Sequence, residues 1–233
     1  MTGFCLIIGL TFILSVCYGA KPDSPYFEVW ELNSLKKIGG HPVQVFGNPK
    51  IVKTEIGKAI RFDGLDDRLL VDNNPLGDAK EFTIEVIFKP NPAYHISQQP
   101  RFIHFQDLSD TLKGWDFANR IMIELRLTPK NEWYLDGFML TDAGELTLVN
   151  KNLTHPTDQW SHAALTYKDN TFKTFVNGIE ETSGKVMFTN RILNKDGNVS
   201  IGGRMNQRFY YCGLIKQLKV THQALMPEQF TKN

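Results

Sequence analysis

The stretch from Trp160 to Gly178, WSHAALTYKDNTFKTFVNG, constrains the fold of this 233-residue chain more than any other part. Apolar side chains occupy alternate positions at its start, a polar Lys-Asp-Asn turn follows, and β-branched and aromatic residues then lead to Asn177-Gly178. Alternation with a period of two is typical of a strand with one buried face, and short polar turns join such strands into hairpins. The stretch therefore predicts consecutive antiparallel strands.

The same alternation recurs along the chain in short runs separated by turn residues. No segment keeps a helical period for longer than about two turns. Many short strands with turn chemistry between them predict an all-β sandwich of two antiparallel sheets. Besides the opening stretch, the predicted strands lie at residues 43–46, 58–62, 69–71, 82–89, 102–106, 120–127, 132–140, 146–149, 198–202 and 213–221.

Two of these stretches resemble a known family. WSHAALTY followed by FVNG resembles the central hairpin of laminin-G-like, concanavalin A-type domains, and GKAIRFDGLDDRLLV at residues 57–71 resembles their opening strand pair. The resemblance extends from Tyr26 to Phe230, and its motifs are consistent in series. It implies a concanavalin A-like jelly-roll β-sandwich of two antiparallel sheets, one of them concave.

Residues 1–20 carry no charged side chain and include an apolar run at residues 4–16. This run is shorter than the about 20 residues that a membrane span needs, so it predicts a signal peptide that is cleaved after Ala20. No Lys or Arg precedes the run, which leaves a signal anchor as an alternative, and Cys17 leaves lipidation as another. We expect residues 21–233 to form a single domain that is secreted, extracellular or periplasmic and has no membrane span.

The charges of the chain are balanced, with 26 basic and 25 acidic residues and a formal net charge of +1. Such a chain has no global field that favours a polyanion, so nucleic acid is not an expected partner. Beyond the leader only Cys212 remains, and a lone thiol forms no internal disulfide. The fold must therefore depend on its hydrophobic core.

Eight side chains are predicted to lie on strand faces that point away from the core, because their neighbours in sequence are apolar. If their strands share one sheet, they cover a surface that suits a sugar, since aromatic rings stack on sugar C–H groups and charged groups hydrogen-bond the hydroxyls. A merely solvated sheet face fits the same pattern. The candidate carbohydrate-binding residues are Glu85, His104, Glu124, Arg126, Tyr134, Asp136, Trp160 and His162.

The carboxylates among these residues raise the alternative of glycan cleavage. Retaining glycosidases place two carboxyl groups about 5 Å apart, and inverting ones roughly 6.5–9.5 Å apart. Glu85 and Glu124 meet either condition if their strands pair, and Asp136 is a further candidate acid. However, the Glu-x-Asp-x-x-Glu strand motif that the resemblance implies for hydrolases of this fold is absent. We therefore expect a binding module rather than an enzyme.

Calcium is the one cofactor that the resemblance suggests, because laminin-G-like domains often hold it at a loop rim through Asp and Asn oxygens. Asp63, Asp66 and Asp67 form an oxygen-rich turn and are the candidate ligands. Asp and Gly are also ordinary turn residues, so a turn without metal is the alternative. The histidines show no i, i+4 pair and no nearby cysteine, so zinc is not expected.

Three functional hypotheses follow. The first is a secreted, non-catalytic module that binds a glycan or glycoprotein through a concave sheet face or the rim loops. The second is a glycan-cleaving enzyme that uses the carboxylates. The third is an adhesion domain that docks proteins through its loops, for which a broad exposed apolar patch would be the structural sign.

Overall fold

The computed structural model describes residues 25–107, 118–188, 193 and 197–232. The predicted signal peptide at residues 1–20 lies outside these ranges. Within them the chain forms 17 strands, and every strand pairing is antiparallel. In the same residues, no helix has the length and apolar character that crossing a membrane requires. The predicted all-β fold class is confirmed.

Eight strands form the first sheet, which we call sheet I. Its order is β15-β14-β13-β7-β17-β5-β4. β1 also pairs with β17, beside β5 and on the side of β17 opposite β7. The strands are β1 (Phe27–Glu31), β4 (Lys50–Thr54), β5 (Gly57–Asp63), β7 (Phe82–Pro90), β13 (Ser161–Lys168), β14 (Thr171–Val176), β15 (Ile179–Lys185) and β17 (Cys212–Thr221).

Nine strands form the second sheet, sheet II. Its order is β11-β10-β9-β8-β16-β6-β3-β2, and β12 pairs with β10. The strands are β2 (Lys37–Ile38), β3 (His41–Phe46), β6 (Arg68–Val71), β8 (Arg101–Gln106), β9 (Arg120–Leu127), β10 (Glu132–Thr141), β11 (Gly144–Val149), β12 (His155–Pro156) and β16 (Asn198–Ile201).

The hydrophobic core lies between the two sheets. Alternate residues of β7, Ile84, Val86 and Phe88, are fully buried, as the period of two predicts. The Phe88 ring contacts Phe102 and Trp133 of sheet II at centroid distances of 4.8 and 5.2 Å. Each such side chain contributes about 1.5–3 kcal/mol through removal of apolar surface from water.

The two hairpins predicted between Trp160 and Gly178 are present. The β13–β14 turn is closed by Asp169 and Asn170 at φ 48° and 60°, and the β14–β15 turn by Asn177 and Gly178 at φ 50° and 82°. Two consecutive residues with positive φ give the turn whose twist matches that of the flanking strands. Gly, Asn and Asp tolerate this conformation best, which is why Asp-Asn closes the first turn and Asn-Gly the second.

The strand order corrects one expectation. Alternation predicts which side of a strand a residue occupies, but it contains no information about which strands become neighbours. β7 pairs with β13 and β17, whereas β9 pairs with β8 and β10. The single surface expected from the sequence is therefore divided: Glu85 and His162, with Trp160 just before β13, belong to sheet I, while His104, Glu124, Arg126, Tyr134 and Asp136 belong to sheet II.

Candidate functional site

The outer face of sheet I carries a buried polar group that we call the Glu85 cluster: Glu85, His162, Lys219 and the backbone amide of Thr231. Glu85 is 2% exposed. Its Oε1 accepts hydrogen bonds from His162 Nε2 at 3.1 Å and from the Thr231 amide at 2.5 Å, and Lys219 Nζ lies 3.0 Å from Oε2. Burial disfavours the charged carboxylate, but these three donors together hold the pKa of Glu85 at about 2.

The chain end, residues 222–232, covers this cluster. Phe230 packs edge-on against Phe175 at 5.2 Å and lies 5.6 Å from the His162 ring. Thr83 accepts a hydrogen bond from the Leu225 amide at 2.8 Å and donates one to the Gln223 carbonyl. Glu85 and His162 thus hold the C-terminal segment against sheet I, and they lie apart from the five candidate residues of sheet II.

The outer face of sheet II carries the Glu124 cluster: Arg101, Glu124, Arg126 and Asp136. Glu124 and Asp136 are cross-strand partners of β9 and β10 and are 2% and 1% exposed. Arg126 donates to Asp136 Oδ2 from Nε at 2.7 Å and lies 2.6 Å from it through Nη2. Arg101 Nε and Arg126 Nη2 lie 3.0 and 3.4 Å from Glu124 Oε2, but neither contact is an aligned hydrogen bond.

The carboxyl groups of this cluster have raised pKa values despite their ion pairs. Burial is the largest cause for Glu124, the arginines oppose it, and the adjacent Asp136 charge adds to it, which gives a pKa of about 7. Burial likewise raises the pKa of Asp136. Two carboxylates share two guanidinium groups here, and the better-aligned donors of Arg126 go to Asp136, so Glu124 is the less well compensated of the two.

Arg101 connects the cluster to the two loops above it, residues 91–100 and 202–211. Its guanidinium lies over the Phe209 ring at 3.8 Å, a cation–π contact, and its backbone amide donates to the Phe209 carbonyl at 2.9 Å. Its Nη1 donates to the Gln99 carbonyl at 3.0 Å. One buried ion pair thereby positions both loops.

Two adjoining open cavities, which we call the rim cleft, lie beside the first of these loops; the second loop borders only the larger one. The larger has a volume of about 550 Å³ and the smaller about 220 Å³, and both are lined by Tyr94, Gln98 and Gln99 of the β7–β8 loop. Two residues predicted from the sequence, Arg126 and Tyr134, line the smaller cavity. The rim cleft therefore retains two of the five candidate residues on sheet II.

Sequence reasoning missed most of this cleft, because its walls are loops. His95, Phe209 and Tyr210 line the larger cavity, and Phe209 is 38% exposed. The signal was present in residues 91–100, NPAYHISQQP, where a tyrosine, a histidine and two glutamines fall in a proline-bounded loop. Loops held by a rigid scaffold are where binding residues concentrate.

His104 lies beneath the β16–β17 loop and is 1% exposed. Its Nδ1 accepts a hydrogen bond from the Met205 amide at 2.9 Å, so in the neutral ring Nε2 carries the proton. Burial and four nearby arginines hold the pKa of His104 well below its usual range. His104 is thus a neutral side chain that does not line the rim cleft.

The three candidate calcium ligands lie close together, with one oxygen of each within 4.8 Å of the others. However, both oxygens of Asp67 accept backbone hydrogen bonds, from Asn48 at 2.6 Å and from Asp63 at 3.0 Å. Asp63 Oδ1 closes the turn by accepting the Leu65 amide at 2.8 Å. The second Asp63 oxygen and the exposed Asp66 carboxylate fit a weak calcium site at most, and calcium binding stays a prediction.

The comparisons with known proteins agree with this architecture. A laminin-G family model, described as the concanavalin A-like lectin/glucanases superfamily, matches residues 63–230. The chain belongs to this superfamily. The resemblance stated from the sequence is confirmed, whereas no curated protein matches the chain by sequence.

Solved structures similar to this fold include binding domains. Domain 4 of AbnA, a GH43 extracellular arabinanase from Geobacillus stearothermophilus solved with arabinotriose, has a TM-score of 0.57 at 16% identity and covers 89% of this chain and 97% of its own. The binding domain of Paraclostridial Mosquitocidal Protein 1 has a TM-score of 0.62 at 15% identity, and the binding domain of botulinum neurotoxin serotype D has 0.61 at 15%. They cover 89% and 88% of this chain but 51% and 50% of their own, so the chain spans about half of either toxin domain. At these identities the likeness shows the fold alone.

Proposed function

We propose that this protein is a secreted, non-catalytic module that binds carbohydrate, as a free glycan or on a glycoprotein, in the rim cleft. The observation that carries the proposal is the set of groups that line the smaller cavity: the rings of Tyr94 and Tyr134, the amides of Gln98 and Gln99, and the guanidinium of Arg126. Aromatic faces stack on sugar rings, and amides and guanidinium groups hydrogen-bond hydroxyls.

The Glu124 cluster prepares Arg126 for this role. Asp136 takes the Nε and Nη2 side of the guanidinium, so the side chain is fixed before a ligand arrives. No hydrogen bond of Arg126 Nη1 occurs among the described residues, and the side chain is 23% exposed. A fixed donor whose free N–H groups reach the cleft costs little conformational entropy on binding.

The relatives support this proposal at the level of the fold. Domain 4 of AbnA was solved in complex with arabinotriose, and the toxin domains are binding domains. Arabino-oligosaccharides therefore belong in any ligand panel. An extracellular location is consistent with the extracellular arabinanase among these structures and with the predicted signal peptide.

Affinity gel electrophoresis against soluble polysaccharides, followed by titration calorimetry with the matching oligosaccharide, tests the proposal. We expect Tyr134→Ala and Arg126→Ala to weaken binding by about ten-fold each, and Arg126→Lys to restore little because an ammonium lacks the planar fork. Phe27→Ala, a change of a 56% exposed ring on β1 outside the cleft, is the control. Unchanged affinity in all three cleft variants would contradict the assignment.

A glycan-cleaving enzyme is the second candidate, and one observation favours it. Glu124, with a pKa of about 7, stands beside Asp136 on the neighbouring strand, which is the kind of paired carboxyl chemistry that glycosidases use. Against it, both groups are at least 98% buried, and neither lines the rim cleft. Release of reducing sugar that is lost in Glu124→Gln would establish this alternative.

A further inference from the structure

We propose that a cavity beside Trp160, on the outer side of sheet I, is a second carbohydrate contact in which the indole ring stacks on a sugar. The inference rests on the proposed function and extends it to a second face of the module. The cavity has a volume of about 580 Å³, which is within the roughly 300–1,000 Å³ typical of small-molecule sites. We call it the Trp160 cavity.

The indole is held in one orientation. Trp160 immediately precedes β13, and its Nε1 donates a 2.6 Å hydrogen bond to Oε1 of Glu55 in the turn between β4 and β5. The ring N–H is occupied, and the half-buried Trp160 lines the cavity, so the indole ring is an aromatic surface of the cavity. A fixed, partly exposed aromatic face is what stacking on a sugar requires.

The opposite wall is the C-terminal segment, which the Glu85 cluster holds. Phe230 and Thr231 line the cavity, and they are the residues fixed by Phe175 and by the carboxylate of Glu85. The Glu85 cluster therefore keeps this wall of the cavity in position. A preformed wall lowers the entropic cost of binding.

The polar groups of the cavity suit an uncharged, hydroxylated ligand. Asn177 Oδ1 accepts the backbone amide of His162 at 2.9 Å, so its NH₂ group remains as a double donor. Glu228 and Lys232, both exposed, contribute one negative and one positive charge to the lining. Opposite charges leave no net field to select an ion, but each can hydrogen-bond a hydroxyl.

The Trp160 cavity and the rim cleft are reached from the same end of the sandwich. Ser161, the residue after Trp160, pairs with Phe88 near the end of β7, and the β7–β8 loop of the rim cleft starts directly after Pro90. The Asp158 amide also donates to the Pro90 carbonyl at 2.7 Å. An oligosaccharide or branched glycan can use two contacts at one end, which favours a chain over a single sugar.

The test uses the full mature chain and named probes: soluble arabinan, xylan, β-glucan and mannan in affinity gels, then the corresponding trisaccharides. We expect Trp160→Ala to weaken binding of the retained probe by about ten-fold, with Trp160→Phe closer to wild type. Glu55→Gln keeps an acceptor for the indole and should cost less than two-fold. Phe27→Ala serves as the matched surface control, and thermal melts check that each variant is folded.

Intrinsic fluorescence gives a local readout in a Trp115→Phe background, which removes the one tryptophan outside the described residues. Of the other three, Trp160 is partly exposed whereas Trp30 and Trp133 are 1% and 0% exposed. Saturation with the bound trisaccharide should change the emission of Trp115→Phe and leave that of the folded double variant Trp115→Phe/Trp160→Phe unchanged. If Trp160→Ala binds like wild type while Tyr134→Ala has lost affinity, the second contact is wrong and the rim cleft stands. If wild type retains none of the probes and is inert on a glycan array, both proposals fail.

Discussion

Each sheet buries a glutamate on its outer face, and the two carboxyl groups respond to burial in opposite directions. Glu85 has a pKa of about 2 and Glu124 a pKa of about 7, although both are 2% exposed and both lie beside cations. The difference lies in how many hydrogen-bond donors and cations contact each carboxylate. Glu85 alone accepts two aligned hydrogen bonds, one of them from a main-chain amide, and it also pairs with Lys219, whereas Glu124 competes with Asp136 for two arginines.

The comparison teaches that an ion pair by itself does not decide the charge state of a buried acid. Aligned hydrogen bonds to the anion lower its pKa, while unaligned contacts and a neighbouring carboxylate leave burial dominant. The Glu85 cluster consequently holds the C-terminal segment, residues 222–232, against sheet I. The Glu124 cluster is a less compensated group beside the rim cleft, where it positions Arg126 and Arg101.

The largest effect is expected from Glu85→Ala. It removes the buried carboxylate that pairs with the partly buried Lys219 and releases the Thr231 amide; breaking a fully buried pair typically costs about 3–5 kcal/mol, and we expect a loss toward the lower end of that range. Urea unfolding measures the loss. Glu180→Ala, which breaks the exposed pair with Lys173, is the matched control and should cost less than about 1 kcal/mol. Equal losses in the two variants would contradict the role of the Glu85 cluster in holding the C-terminal segment.

The next largest effect is expected in the free energy of unfolding at acid pH, where Glu85 becomes protonated. The folded pKa of Glu85, about 2, lies below its usual 4.5, so ionised Glu85 stabilises the fold above pH 4.5, and this contribution disappears as the pH falls toward 2. The shift corresponds to about 3 kcal/mol. Unfolding free energies measured between pH 5 and 2 should fall more steeply in wild type than in Glu85→Gln. Parallel profiles would refute the assignment.

Glu124 should produce the opposite slope in a separate pH window. Its folded pKa is raised, so the folded state holds a proton that the unfolded chain has lost, and stability falls as the pH rises from about 4.5 to about 7. The expected change in the free energy of unfolding is up to about 3 kcal/mol. Glu124→Gln should flatten the profile in this window alone, and a wild-type profile that rises there would reverse the sign we assign.

The smallest effect is expected at the acidic turn formed by Asp63, Asp66 and Asp67. Here the carboxylates of Asp63 and Asp67 accept hydrogen bonds from backbone amides. If calcium binds there, a concentration ten times its Kd should add about 1.4 kcal/mol of stability. A rise in melting temperature with calcium, absent with magnesium and lost in Asp66→Asn, would support the site. No rise in wild type at 10 mM calcium would leave the turn as a structural one.

Much of the fold could be predicted from the sequence, because alternation and turn chemistry are local. The hairpins around Asp169-Asn170 and Asn177-Gly178 and the inward faces of β7 and β9 are as predicted. The local sequence pattern does not determine which strands become neighbours. The sequence therefore could not predict that Glu85 and Glu124 lie on different sheets. The alternation also did not show that these outer faces are covered, since the C-terminal segment and the β16–β17 loop approach from distant parts of the chain.

The candidate site was predicted in part for the same reason. Arg126 and Tyr134 lie on strands, and their side of the strand follows from the period of two. Tyr94, Gln98 and Phe209 lie in loops, where no periodicity exists and only the contacts of Arg101 with Gln99 and Phe209 reveal how the walls are held.

The hydrogen bond from Thr231 to Glu85 comes from the main chain, so it does not depend on which side chain occupies position 231. A different side chain at position 231 would leave this hydrogen bond in place, whereas position 230 must keep a side chain that packs on Phe175 and His162. Proline at position 231 is the exception, because it has no amide hydrogen to give. Thr231→Pro would therefore remove this one contact of the tail while leaving every buried ionisable side chain in place.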